Sequence, residues 1–213
     1  MMTEQDELVS CLTGVARLAL VFGRIERTTA YPDGTRESDA DHTVMLTWLA
    51  PALARHFYPG RLDPGLVALR AGLHDAVEVF AGDTCTLRIS VQEMAAKRDR
   101  EKAALQRWRD LLTGTPLCFI AEEIAAYEEQ RDAEARFVRA VDKLCPALAH
   151  LLNQGALLFG TYRFTAAELE ESLPRRLAEM KEYASDFPEV IALREHLSLH
   201  LIAMLREREE KKE

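Results

Sequence analysis

A chain of 213 residues fits one domain, and 48% hydrophobic residues give it ample material for a core. Its formal charge of -8 argues against a nucleic-acid-binding or anionic-membrane-binding surface, since both need a basic face. It leaves open a small anionic substrate, because a metal and a few arginines can set the local field.

Alanine, leucine, glutamate and arginine dominate, which favours helices, and the expected class is all-α. Leu8, Cys11, Leu12, Val15, Leu18, Ala19 and Phe22 make an amphipathic first helix ending near Gly23. Arg24 to Thr35 reads as a loop, with a turn at Pro32-Asp33-Gly34. Ser38 or Asp39 can cap the next helix, whose stripe is Val44, Met45, Trp48, Leu49, Ala52 and Leu53, with Pro51 inside it. Leu66, Val67, Leu69, Leu73, Val77 and Phe80 recur at helical spacing, predicting one buried helix from Pro64 to about Ala81. A linker covers Thr84 to Ser90, and a charged, solvated helix Val91 to Leu112. Phe119 to Tyr127 marks a short helix, and Glu134 to Phe159 a long one. Glu168 to Ala184 and Pro188 to Arg206 close the chain before a frayed charged tail over 207–213. No strand alternation stands out, and no apolar run approaches the roughly 20 residues that span a bilayer. Cys11, Cys85, Cys118 and Cys145 are scattered, with no Cys-x-x-Cys, and read as reduced thiols of a cytoplasmic protein. Met1 to Glu7 is polar and acidic, unlike a signal peptide.

The chemistry gathers at the end of the central helix. His74, Asp75, Glu78 and Asp83 follow one another there, and a cation could take His74 and Asp75 as ligands with Glu78 free beside it. Taken alone, the pair also fits a helix end whose histidine meets a carbonyl and whose acids are solvated. Two further positions shift the balance. His42 opens the second apolar helix, and Asp142 lies between Val141 and Leu144 on an apolar face, where a carboxylate needs a partner. His42, His74, Asp75 and Asp142 together supply two imidazoles and two carboxylates, a set suited to a divalent transition metal with open positions.

The order His42, His74-Asp75, Asp142 resembles the signature of the HD superfamily of metal-dependent phosphohydrolases. The likeness narrows to its 5′-deoxynucleotidase branch. Glu37-Ser38-Asp39-Ala40-Asp41-His42 is similar to that branch's Glu-Ser/Asn-Val-Ser-Glu/Asp-His, and His74 to Asp83 to its His-Asp-x-x-Glu-x-x-x-Gly-Asp. Tyr127-Glu128-Glu129 and Glu134 to Leu144 resemble its segment around the last ligand. The resemblance covers about residues 17–152 and implies a single HD helical domain over 1–213, extended by C-terminal helices over about 166–206. It implies one divalent transition metal per chain (Mn, Co, Zn, Fe or Ni) and removal of phosphate from nucleoside 5′-monophosphates. It assigns Glu78 the acid/base role and puts Asp83 beside the catalytic water or the leaving group. Arg27, fifteen residues before His42, matches a phosphate-binding arginine, with Arg24 the next choice and Arg36 and Arg88 weaker ones.

Thr28 stands where the bacterial nucleotidases have Trp, and Thr84-Cys85-Thr86 where they have prolines, so the departures fall where base and sugar would be held. A triphosphohydrolase, a cyclic-nucleotide or alarmone phosphodiesterase, and a nucleotide-binding protein without activity remain as alternatives. His150, His196, His200 and His56 are not expected to hold a metal. The resemblance and Leu193, Leu197, Leu201 and Leu205 point to a homodimer through the C-terminal helices or the first helix.

Overall fold

The computed structural model describes residues 3–86 and 88–211, so Leu87 of the linker and the last two residues of the charged tail lie outside the described residues. Helix starts follow local chemistry. Thr3, Ser38, Ser90 and Thr165 each accept a hydrogen bond from the backbone three residues on, and the acid at that position accepts one from the cap's own N–H. These four reciprocal caps begin α1 (Glu4–Phe22), α2 (Asp39–Phe57), α5 (Val91–Leu112) and α9 (Ala166–Ala184). Proline in the first turn opens α3 (Pro64–Leu73) and α10 (Pro188–Glu210). The others are α4 (Glu78–Ala81), α6 (Cys118–Glu128), α7 (Ala133–Asp142) and α8 (Cys145–Leu152), with a π-helical turn at Leu157–Thr161. The fold is all-α apart from one small hairpin.

That hairpin corrects the loop expected over Arg24 to Thr35. β1 (Glu26–Ala30) pairs antiparallel with β2 (Arg36–Ser38), and the register shifts between Glu26↔Ser38 and Ala30↔Arg36. The turn between them is the Pro32-Asp33-Gly34 turn, closed by Tyr31 N–H donating to Thr35 O at 2.9 Å. The strands are short and polar, so they carry no alternation. They are held by the buried bond from Thr29 Oγ1 to the Glu37 carboxylate and by Asn153 Nδ2 donating to Ala30 O at 2.9 Å. Asp39 N–H donates to Ile25 O at 3.0 Å, which ties the hairpin to the start of α2.

The predicted helix from Pro64 to Ala81 is broken. After Leu73 the chain turns through His74 to Val77 on three-residue hydrogen bonds: Ala76 N–H to Leu73 O, Glu78 N–H to Asp75 O and Phe80 N–H to Val77 O. The long helix expected over Glu134 to Phe159 is likewise divided, at Lys143-Leu144 and after Leu152, and Asp142 is the last residue of α7 rather than a mid-helix position. Pro146, in the first turn of α8, lacks the N–H that a continuous helix would need there.

Two apolar clusters result. The larger takes Leu46 and Ala50 of α2, Val67 and Ala71 of α3, Phe137 and Val141 of α7, and Leu177, Met180, Leu201 and Leu205 from the last two helices. Tyr58, Phe137 and Phe187 meet edge-on at its centre, with ring centroids 5.1 to 5.6 Å apart. The smaller gathers Val77, Leu105, Trp108, Leu112 and Ile124. The broken segment is where the chain passes from one cluster to the other. Trp108 Nε1–H donates to Ala76 O at 2.8 Å and pins that passage.

The leucine stripe of α10 is not surplus: Leu201 and Leu205 are in the core, and Leu193 and Leu197 pack against it. The first helix differs the other way. None of its residues is buried, although Val15 and Leu18 touch the smaller cluster, and Leu8, Val9, Leu12, Leu20 and Val21 are exposed. Among the described residues no helix is long and apolar enough to cross a membrane.

Phe137 is fully buried within the aromatic trio, one turn and a half before Asp142. Phe137→Ala should cost about 3–5 kcal/mol of unfolding free energy through lost transfer and a residual cavity, measured by urea denaturation. A cost under about 1 kcal/mol would show that this trio does not hold α7 in place.

Candidate metal centre

The capping box at Ser38 fixes the start of α2, so His42 comes one turn later on the inward face and is 1% exposed. His74 follows α3 at the break and is also 1% exposed, and Asp142 ends α7. Three elements thus bring one buried side chain each to a single point, and Asp75 enters beside His74. His42 Nε2 lies 2.9 Å from Asp142 Oδ1 and 3.9 Å from Asp75 Oδ2; His74 Nε2 lies 2.9 Å from Asp75 Oδ2 and 4.0 Å from Asp142 Oδ1. All four expected ligands therefore meet. Bonds of about 2.1 Å to a common ion put neighbouring ligand atoms about 3.0–3.4 Å apart, inside the range these contacts span.

The donor set fits a cation on a second ground. His74 Nδ1 is 2.8 Å from Ala71 O, and a carbonyl only accepts, so Nδ1 carries the proton. In the neutral ring that leaves a lone pair on Nε2, which faces the Asp75 carboxylate yet has no hydrogen-bond partner. Two electron-rich atoms face each other there, an arrangement that a cation between them relieves. Without one, the charges lean on each other. Burial works against the protonated His74 ring, but Asp75 and Asp142 outweigh it and raise its pKa. Burial also works against the Asp142 carboxylate, but Lys143, His42 and His74 hold it well below the usual range. Lys143 Nζ takes the other carboxylate oxygen at 2.7 Å, and Glu37 Oε1 stands 3.9 Å from His42 Nδ1.

Asp75 also belongs to a second cluster, with Asp39 and Glu78. The break separates the faces that an unbroken helix would have merged: His74 turns toward His42 and Asp142, and Glu78 toward Asp39. Arg27, on β1, lies between the acids, with Nη1 2.8 Å from Asp75 Oδ2 and 3.0 Å from Asp39 Oδ1. Burial acts against its charge, but Asp75 and Asp142 prevail and raise its pKa. Glu78 is 5% exposed, and burial, then Asp75, Asp39 and Asp83, push its carboxyl up to about 11. Its Oε2 and Asp39 Oδ2 have no hydrogen-bond partner. Burial and the repulsion of Asp75 push Asp39 up to about 6, against the pull of Arg27. Asp83 follows Gly82, whose φ of 71° turns the chain back. Burial raises the Asp83 carboxyl while Arg27 pulls it down.

Of the other arginines, Arg24 is exposed and makes no ion pair among the described residues. Arg36 Nη1 donates to Tyr162 Oη at 3.1 Å, and Arg88 pairs with Glu168 at 2.8 Å. Asp39 was legible only as a helix-start acid, where carboxylates are common, and nothing in its neighbours signalled burial. His150 is buried in α8, while His196 and His200 contact each other on the exposed face of α10, Nε2 to Nε2 at 3.2 Å.

Residues 24–183 match the family model of the HD domain. The chain is 30% identical over 174 residues to the 5′-deoxynucleotidase YfbR of Escherichia coli O127:H6, covering 78% of this chain and 84% of that one. It is 29% identical over 174 residues to the 5′-deoxynucleotidase of Erwinia tasmaniensis, with the same coverage. The crystal structure of a predicted metal-dependent phosphohydrolase from Magnetospirillum magnetotacticum MS-1 superposes with a TM-score of 0.73 at 25% identity, covering 96% of this chain and 97% of that one.

Ligand and non-ligand acids separate by metal content. Asp75→Ala and His42→Ala should lose the ion, whereas Glu78→Ala should keep it, as read by elemental analysis of purified variants. Loss of metal from Glu78→Ala would make Glu78 a ligand and end the four-ligand assignment.

Proposed function

We propose that this chain, which belongs to the HD-domain family, removes phosphate from (deoxy)nucleoside 5′-monophosphates. It is a metal-dependent phosphohydrolase of that family, near the 5′-deoxynucleotidase branch. The observation that carries the substrate reading is the contact of Arg27 with Asp75, which touches the two histidines on one side and shares a cluster with Asp39 and Glu78 on the other. His42, His74, Asp75 and Asp142 would hold one divalent transition metal. When bound, such an ion lowers the pKa of a coordinated water and polarises a phosphoryl oxygen.

The remaining work falls to side chains. Arg27 carries five donors, and its Nη1 alone meets both acids, so the rest of the planar fork is available to phosphate oxygens. Bound phosphate competes with Asp39 and Asp75 for that guanidinium. Glu78, kept protonated by burial and its acidic neighbours, is suited to give its proton to the 5′-oxygen as the phosphorus–oxygen bond breaks. A cation beside Asp75 weakens the repulsion that raises Glu78 and brings its pKa down toward the working range. Asp83, electrostatically coupled to Arg27, is the second acid on this side.

Thr28 and Thr84 belong to the sugar and base side of this reading. Thr28 O accepts from Tyr162 Oη at 3.3 Å, and Thr84 Oγ1 from Arg100 Nη2 at 2.9 Å. Neither offers an indole to reject a ribose hydroxyl, so a deoxy preference does not follow from these two positions. We read all 213 residues as one domain, because the C-terminal helices share the core of α2, α3 and α7. Four unpaired thiols support a cytoplasmic setting.

A panel of nucleoside mono- and triphosphates, with phosphate, pyrophosphate and triphosphate release measured separately, tests the reading. Phosphate from monophosphates is expected, and Glu78→Ala should lower turnover by about 10²–10⁴ with metal retained. Triphosphate release alone would replace this reading with a triphosphohydrolase, and near wild-type turnover in Glu78→Ala would remove its acid role.

The expected homodimer now rests on α1, where Leu8, Val9, Leu12, Leu20 and Val21 are exposed, since the α10 stripe is consumed by the core. Light scattering at micromolar concentration should give twice the chain mass, and Leu12→Glu with Leu20→Glu should halve it. A monomeric mass for the wild-type chain would count against the dimer.

A further inference from the structure

Far along the chain from these residues, α8, α9 and α10, with Leu158 of the π-helical turn, line a partly open cavity of about 60 Å³. Its polar lining is His150, Ser172, Arg176, Arg194 and Ser198, with the Ser172 hydroxyl donating to Leu169 O at 3.0 Å, and its walls include Leu173 and Leu201. His150 is 4% exposed, and its Nδ1 has no hydrogen-bond partner. Arg176 Nε has none either. Arg194 Nη1 donates to Ser198 Oγ at 2.6 Å, and that hydroxyl donates onward to Arg194 O at 2.8 Å.

The charge here is one-sided. Among the described residues neither Arg176 nor Arg194 forms an ion pair, and Glu179, the acid whose field reaches Arg176, is paired with Arg175. Burial lowers the pKa of both guanidiniums, and each is lowered further by another arginine: Arg176 by Arg175, and Arg194, to about 10, by Arg176. Burial and then Arg194 bring His150 down to about 4, so its ring is neutral and its Nδ1 can donate. Both arginines are half-buried, and positive charges partly withdrawn from water without a counter-charge are costly, while buried polar atoms without partners are rare. Both features are relieved by one anion. A water needs about 10–15 Å³ of such space, so the cavity takes about four to six oxygen-sized groups, the size of a tetrahedral oxyanion.

We propose that this cavity binds a phosphate-class dianion, held by the guanidiniums of Arg176 and Arg194 with His150 Nδ1–H as a further donor. Two guanidiniums match a dianion in charge, and planar forks match tetrahedral oxygens in geometry. Inorganic phosphate and the phosphoryl head of a small phosphomonoester share this chemistry. The site does not depend on the nucleotidase reading, because it shares no side chain with the metal centre.

The test is calorimetric titration and thermal unfolding of the full, metal-loaded chain with inorganic phosphate and, separately, with methylphosphonate as a non-hydrolysable phosphomonoester head. Arg27→Met, which weakens phosphate at the metal centre, serves as the background. In it, near-stoichiometric phosphate binding and a rise in Tm should persist. Adding Arg194→Met should weaken that binding at least tenfold and abolish the rise, while leaving Tm without phosphate unchanged or higher, since a half-buried charge without a counter-charge is gone. Arg176→Met, on another helix, should show the same loss and covers the case of a variant that does not fold. Response to phosphate but not methylphosphonate assigns the site to free phosphate, and the reverse to phosphomonoesters. The proposal is overturned if neither binds, if Arg27→Met alone abolishes binding, or if Arg194→Met lowers Tm while the phosphate response remains. Failure of the nucleotidase reading would appear in the substrate panel and leave these outcomes untouched.

Discussion

Acid–acid repulsion at the break between α3 and α4 is the constraint on which the rest of the site depends. Asp75 faces Asp39 and Glu78 on one side and contacts two imidazoles on the other, with Asp142 beyond them. Carboxylates this close and this buried do not all ionise unless positive charge is set among them. The chain meets that demand from separate elements: Arg27 from the hairpin, Lys143 from the end of α7, and a cation cradle between the histidines. Each supplies charge at a different edge of the cluster. The pKa pattern follows, with Asp75 and Asp142 held ionised and Glu78 held protonated. Two groups of the same chemistry are thereby given opposite protonation states, the condition for one to bind metal and the other to move a proton.

Much of this was legible. Ser38 announced its helix because a hydroxyl followed three residues later by an acid can satisfy the first turn by itself. Ser90 and Thr165 cap theirs in the same way, and the cap at Thr165 starts α9 at Ala166, two residues before the expected Glu168. His42, His74, Asp75 and Asp142 stood out because acids and imidazoles next to apolar runs need partners. The break at His74 to Val77 was not legible, because Leu73, Val77 and Phe80 keep the helical period straight through it. What interrupts the helix is a set of three-residue hydrogen bonds and the His74 contact with Ala71 O, and periodicity does not register either.

The other departures share a cause. Five residues of β1 and three of β2, rich in Arg, Glu and Thr, carry too little pattern to declare a strand; their pairing is fixed by Glu37, Asn153 and the turn. Asp39 looked like an ordinary helix-start acid, and only packing against Arg27 and Glu78 makes it part of the site. The leucines of α10 and of α1 form similar stripes in sequence. Which stripe is covered depends on the partner helices, and α9 covers the one on α10 while α1 has only a partial neighbour.

The indole of Trp108 sits against the carbonyl of Ala76, the residue after Asp75, inside the smaller cluster. The chain's other tryptophan, Trp48, is 75% exposed on α2. Fluorescence therefore divides cleanly between a shielded fluorophore one residue from the carboxylate hub and a hydrated one that shares a helix with His42 but faces water. A cation held in the cradle would change the field around the first far more than around the second, which would give the protein an optical gauge with an internal reference and no label.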